Sequence, residues 1–306
     1  MFGKASSVVH VASYSGNYVR KRWILRITLI SLLILGGFVT LVIRNRPRGL
    51  WIPTTPDLCE IWKGETPRPP ATLWWQWACL IEWDMDSGNG YQCQNMEYMG
   101  NWPVCWDEPY RPKGNCLVYS FGINYDFSFD EAMAKRGCTV YSFDPSMGMV
   151  DHKHSDGVLF MNLGLGAADD DSFHPNFDLY VRHSTNWKMR TLKSIMAMLG
   201  HEKRVIDVLK IDIEVYEWAV TANIMKDQLF PQIRQFLVEW HVFPNVPSRE
   251  NFKDIYDAYM SLKEAGLRSY LKSSCCRYHH YKYFNSQADM AYVNTKLTPL
   301  VEQVGI

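Results

Sequence analysis

The sequence is short of several things, and each shortage excludes something. It has no net charge, since 32 Lys and Arg balance 32 Asp and Glu over 306 residues. A protein that grips nucleic acid through its phosphates needs a basic excess, so that class is disfavoured. It has no Cys-x-x-Cys pair, which removes the usual framework of a structural zinc site. It has no Asn-x-Ser/Thr sequon, so no N-glycan marks the side of a membrane on which it works. It has no internal repeat and no low-complexity tract. Charged residues are 21% and apolar ones 47%, far from the composition of a disordered chain. Acid is missing altogether from residues 1–50, which carry eight Lys or Arg. The remaining chain therefore holds 24 bases against 32 acids, and neutrality is the sum of a basic leader and an acidic body.

The leader reads as a membrane anchor. Seventeen uncharged, mostly apolar residues run from Ile27 to Ile43, and Trp23–Leu25 extend the run past Arg26. About 20 helical residues cross a bilayer, so a transmembrane signal anchor is expected over 23–43, after a cytosolic tail at 1–22. Basic residues weigh slightly toward the N-terminal side, which favours type II orientation. All eight cysteines (59, 79, 93, 105, 116, 138, 275 and 276) follow the anchor. Their even number suits disulfides in an oxidising lumen, endoplasmic reticulum or Golgi; buried free thiols are the other reading.

Six prolines between residues 47 and 70 suggest an extended stem over 44–70. Residues 71–115 hold six Trp and three Cys with no long helical period. They read as an irregular, disulfide-tied cap, or as an aromatic platform for a sugar.

From residue 116 to about 300 the hydrophobic period switches between two and 3.6. Strands are expected at 116–121, 139–143, 158–163, 205–213 and 235–241, with an antiparallel pair at 267–274 and 289–294. Helices fall between them, one opened by a capping box at Ser128-x-x-Glu131. This is an α/β fold with a mostly parallel seven-stranded sheet and helices on both faces.

In such sheets ligands sit beyond the carboxyl ends of the strands. The first strand ends at Phe121-Gly122-Ile123-Asn124 and the second at Asp144-Pro145, 22 positions after Gly122. A glycine permits close approach, and an acid about 20 residues on can accept ribose hydroxyls. Strand four ends in Asp212 and Glu214, and strand five in His241 beside Glu239. A carboxylate or imidazole there can orient an acceptor or take its proton; a helix N-terminal charge and a structural histidine are the plainer readings. Lys210 needs a partner if buried, with Asp207 or Glu239 available. Asp151, His152, His154 and Asp156 suit a polar loop more than a metal site. Asp169-Asp170-Asp171 contains the Asp-x-Asp pattern of metal-dependent glycosyltransferases, but no apolar strand leads into it, and a solvated acidic loop is expected. No metal site is expected.

VYSFGINYDFSFDEAMAKRGCTVYSFDPSM (118–147) resembles the cofactor motif of the methyltransferase-like protein 24 group, and more distantly that of FkbM-type methyltransferases. LKIDIEVYEW (209–218) and FLVEWH (236–241) are similar to their fourth- and fifth-strand motifs. The resemblance spans roughly residues 72–295. It implies a Rossmann-like class I methyltransferase domain at 116–300 that uses S-adenosylmethionine. It places Phe121, Gly122, Asn124, Asp144 and Pro145 against the cofactor, and Asp212, Glu214 and His241 in the methyl-transfer pocket. The chain departs from the broad pattern at Asn124-Tyr125-Asp126, where a glycine-containing loop is usual. By analogy with the FkbM type, the acceptor is a hydroxyl on a glycan or small molecule, with no nucleic acid partner. Two other functions stay open: a type II glycosyltransferase, and a non-catalytic lumenal binding protein that keeps the fold. The oligomeric state is not legible.

Overall fold

The computed structural model describes residues 58–175, 186–242, 247–277 and 285–297. The chain divides into two compact units, Met1–Pro56 and Asp57–Ile306, and every described residue belongs to the second. Two helices come first, α1 (Leu58–Gly64) and α2 (Trp74–Met85), then a hairpin of β1 (Met96–Met99) and β2 (Trp102–Cys105). The alternation begins with β3 (Leu117–Phe121), α3 (Ser128–Lys135), β4 (Thr139–Phe143), β5 (His152–Ser155) and β6 (Val158–Met161). A small three-stranded sheet interrupts it: β7 (Gly164–Leu165), β8 (Asp170–Phe173) and β9 (Trp187–Arg190). Then follow α4 (Leu192–Met198), β10 (Ile206–Ile211), α5 (Glu217–Lys226), β11 (Ile233–His241), α6 (Phe252–Glu264), β12 (Leu267–Arg277) and β13 (Asn285–Asn294).

The large sheet has the order β12-β13-β11-β10-β3-β4-β6-β5. Its five middle strands, β11 to β6, are parallel, and β13 runs antiparallel between β11 and β12. From β3 the chain goes one way to β4 and later returns on the other side as β10. That reversal opens the crevice where α/β sheets take ligands. The expected seven strands are corrected to eight. The added one is β5, His-Lys-His-Ser, a half-exposed edge strand antiparallel to β6. Its polar alternation looks like a loop because only one side of it meets the sheet.

The expected architecture also began with a transmembrane helix, and that part is corrected. No helix among the described residues is long and apolar enough to cross a membrane. Residues 23–43, where the anchor was expected, lie outside the described residues, as do the tail and residues 44–57 of the stem.

Alternation along each middle strand feeds two cores. Leu117, Tyr119 and Phe121 of β3 pack on one face with Ile195, Trp218, Ile224, Ile255 and Tyr259 from α4, α5 and α6. Val118 faces the other side, with Phe129 and Met133 of α3 and with Trp102 and Val104 of the hairpin. Gln235 of β11 pins that hairpin down. Its Nε2 donates to the Cys105 and Tyr110 carbonyls, and its Oε1 accepts from the Cys105 N–H and the Tyr270 hydroxyl.

Two local readings change. Residues 71–115 contain a three-turn helix, α2, although no helical period shows there. Ala78, Ile81, Glu82 and Met85 turn inward on one face. Trp74 and Trp77 pack on Phe252 and Tyr256, and Trp83 stacks on Trp62 of α1. A helix covered on several sides carries apolar residues nearly all round, which erases the period. At α3, Ser128 is the first helical residue and makes no capping box; the Asp126 carboxylate accepts the Ser128 N–H at 3.0 Å instead. Three disulfides join Cys59–Cys79, Cys93–Cys105 and Cys116–Cys138, so the cysteines up to residue 138 are paired as expected for an oxidising environment.

Candidate active site

The carboxyl ends of β3, β4, β10 and β11 meet at one edge of the sheet. Gly122 continues the ladder, donating its N–H to the Phe143 carbonyl, and the Asp212 N–H donates to Phe121. The turn is very close to strand β10. A Cβ on Gly122 would lie 1.6 Å from the Asp212 carbonyl oxygen, and Gly122 has φ +75°. Glycine is required here by the neighbouring strand end. Four non-glycine residues with left-handed backbone flank the same crevice: Asn124 (φ 43°), Tyr125 (φ 66°), Glu214 (φ 55°) and Val215 (φ 82°). A β-branched residue at positive φ is strained, and such strain gathers at functional sites.

Asp144 sits at the end of β4, 4% exposed. Its Oδ2 accepts the N–H groups of Ile123 and Asn124 at 2.9 and 2.8 Å. Its Oδ1 accepts the Ser146 N–H and hydroxyl at 2.8 and 2.6 Å, capping a short 3-10 helix opened by Pro145. The Tyr125 hydroxyl donates to the Met147 carbonyl and closes the loop over that turn. Asp144 is thus the organiser of the 122–126 loop, and a ribose hydroxyl reaches its oxygens only by displacing one of four internal donors. Phe121 closes β3, and its ring stacks on Phe143 in the core, 4.5 Å between centroids. Gly122, Asn124, Asp144 and Pro145 do share one wall of the crevice.

The opposite wall is rich in carboxylates. Asp212 and Glu214 follow β10, Glu239 and His241 end β11, and Glu217 opens α5. Glu217 is fully buried; its Oε1 accepts the Ile213 N–H at 2.9 Å and faces His241 Nδ1 at 3.0 Å. His241 Nε2 lies 3.5 Å from Glu239 and 3.8 Å from Glu214. The Trp218 indole donates to the His241 carbonyl and fixes the strand end. Burial works against a charged imidazole, but the hydrogen bonds to Glu217 and Glu239 outweigh it and push His241 up to about 11. His241 is therefore held as an imidazolium between Glu217 and Glu239. It is the cation shared by the carboxylates whose oxygens, with Asp212, come within 4.8 Å of its ring nitrogen. Burial pushes Asp212 up to about 7, with Lys210 pulling the other way.

Lys210 pairs with neither expected partner. Asp207 takes Arg234 at 2.9 Å, while Lys210 Nζ donates to the carbonyls of Phe121 and Gly122 and lies 3.8 Å from Asp212. The other polar clusters are structural. His154 stacks on Phe127 and meets Glu131, and His152 faces the Val150 carbonyl. Asp169 accepts from Thr191 and Ser194 at the start of α4, and Asp171 pairs with Arg190. Glu217 is the residue sequence reasoning missed. The Glu214-x-x-Glu217 spacing could have flagged it, since it puts both acids at the entry of one helix.

A family model described as a methyltransferase domain matches residues 84–288. The chain belongs to that methyltransferase family. Two curated proteins are similar, both "Probable methyltransferase-like protein 24". The Homo sapiens protein is 33% identical over 147 residues, covering 46% of this chain and 38% of its own length. The Rattus norvegicus protein is 34% identical over 148 residues, with the same coverage. The chain thus spans well under half the length of the curated relatives it matches. Among solved structures, a mutant of the 16S rRNA (adenine(1408)-N(1))-methyltransferase from Catenulisporales acidiphilia is similar at TM-score 0.29 and 8% identity, over 64% of this chain and 95% of that one. The antibiotic-resistance methyltransferase Kmr is similar at TM-score 0.28 and 11% identity, over 65% and 100%. Likenesses at that level carry no argument about acceptor. The methyltransferase domain's 84–288 span contains every candidate site residue described above.

Proposed function

We propose that this methyltransferase-family chain transfers a methyl group from S-adenosylmethionine to a hydroxyl on a neutral glycan or small molecule. The observation that carries the reading is Asp212 at the strand-four end: its backbone carbonyl meets the Gly122 turn, and burial holds its carboxyl near 7. A base poised near neutral pH suits removal of a hydroxyl proton. His241, already protonated, leaves that role to Asp212 and offsets the negative charge around it. The donor set fits a cationic cosubstrate: Asp212, Glu214 and Glu239 face the crevice, and carboxylates attract a sulfonium. S-adenosylmethionine supplies an electrophilic methyl; the chain's own work is to position, to exclude water and to accept the proton. The same carboxylates repel phosphorylated acceptors, which supports a reading without nucleic acid. Three disulfides support an oxidising compartment as the place of action.

One observation favours a second reading, a binding protein that keeps the fold without turnover. The Asp144 oxygens already hold four protein donors. Calorimetry on the full chain separates the two. The enzyme reading expects S-adenosylmethionine binding that Asp144→Ala abolishes, and turnover on a panel of sugar hydroxyls that rises with pH through about 7. Absence of binding in the wild-type chain would overturn it.

A further inference from the structure

Lys210 is a cation where a strand interior normally has none. It is 4% exposed, in the middle of the sheet, with Ser120 of β3 and Leu237 of β11 as its register partners. Burying an unpaired ammonium is costly, so its partners reveal what it is for. They are the Phe121 carbonyl at 3.0 Å, the Gly122 carbonyl, and the Asp212 carboxylate at 3.8 Å. All three belong to the crevice. The Trp102 ring from the β1–β2 hairpin lies 5.1 Å from Nζ and covers it.

Resting on the proposed methyl transfer, we propose that Lys210 is a positioning residue of the site. Its Nζ clamps the Phe121–Gly122 turn against the end of β10 and sets a positive charge beside Asp212, with Trp102 keeping the contact dry. The geometry requires this division of labour. The Gly122 turn is left-handed and presses on the Asp212 carbonyl, so two carbonyls and a carboxylate crowd one place. One ammonium donates to both carbonyls and sets its charge 3.8 Å from the carboxylate, and a dry cover strengthens each contact. It also links the hairpin to the chemistry, since the cover comes from outside the strand–helix alternation.

Charges facing the cluster come from every side. Glu239 and His241 of β11 and Glu217 of α5 act on Asp212. Asp126 of the cofactor loop and Asp130 of α3 act on Lys210 from the other face. Removing the Lys210 charge leaves Asp212 among acids with His241 as counter-charge, so it ionises at higher pH.

The test uses the full chain with two probes, cationic S-adenosylmethionine and its neutral-sulfur product S-adenosylhomocysteine, titrated by calorimetry across about pH 6 to 8.5. Both probes report the turn; the preference for the cation reports ionisation of Asp212. Lys210→Met should weaken both by about tenfold or more and move the midpoint of the preference up by about one pH unit. Lys210→Arg, which keeps the charge, should restore the midpoint even where both affinities stay lower. If Lys210→Met does not fold, the Arg variant decides: a midpoint moved as far as about one unit overturns the proposal. A folded Met variant with wild-type affinities and midpoint overturns it too, leaving the methyltransferase reading intact. A wild-type chain that binds neither probe overturns both.

Discussion

The two walls of the crevice are built on opposite electrostatic terms. On the β3–β4 wall every charge is answered: the oxygens of Asp144 take four donors, and Asp126 takes the first N–H of α3. On the β10–β11 wall the acids crowd together. Asp212, Glu214, Glu217 and Glu239 share His241 and Lys210, and one oxygen of Glu217 is buried with no hydrogen-bond partner among the described residues. A satisfied carboxylate fixes shape, because moving it breaks several bonds at once. A carboxylate withdrawn from water, as Asp212 is, keeps a raised proton affinity. On the proposed reading the contrast gives architecture to Asp144 and chemistry to Asp212, although both are acids at strand ends.

The strongest way to break the contrast is Gly122→Ala, which drives a methyl into the Asp212 carbonyl and disturbs both walls. It should cost about 3 kcal/mol or more and eliminate S-adenosylmethionine binding, read by thermal melting and calorimetry. Next, Asp144→Ala and Asp212→Asn should part company. The first leaves buried N–H groups unpaired, each costing about 1–3 kcal/mol, and loses cosubstrate binding. The second should keep folding and binding while turnover drops by about 10²–10⁴. Equal effects on binding would erase the distinction between the walls.

Replacing Cys116 and Cys138 together by Ser opens a link of sequence separation 22 between the starts of β3 and β4. That end is remote from the crevice. The chain should lose about 3 kcal/mol in denaturant melts with no change in the pH dependence of turnover. A further test concerns His241. Its pKa is raised from 6.5 to about 11 by folding, so the stability it confers is complete below 6.5 and lost as pH rises toward 11. Wild type should exceed His241→Asn in stability at pH 6, and the gap should close on the alkaline side. A gap that widened there would mean that the ring is neutral in the fold.

Much of this was legible along the chain. The runs LVYSF, TVYSF and IDVLKI are mostly buried and read as central strands from their apolar character alone. The end positions of those runs marked Gly122, Asp144, Asp212 and His241 as crevice residues. Helix α2 was not legible, because packing on several sides removes the one-sided pattern. The edge strand β5 was not, because half-exposed His and Lys look like loop. Nor was the core role of Phe121, since period-two alternation says that a ring turns inward without saying which strand end stays open.

The sequence by itself determined the strand–helix alternation, the methyltransferase family and the acids that reach the sheet's edge, because hydrophobic period and local motifs are properties of neighbours in the chain. Only the tertiary structure decided how each of those acids is held. Charge state depends on what lies within a few ångströms in space, and the groups that set it come from far apart: Glu217, Glu239 and Lys210 around Asp212, four donors from two loops around Asp144, and a tryptophan 108 positions before the lysine it covers.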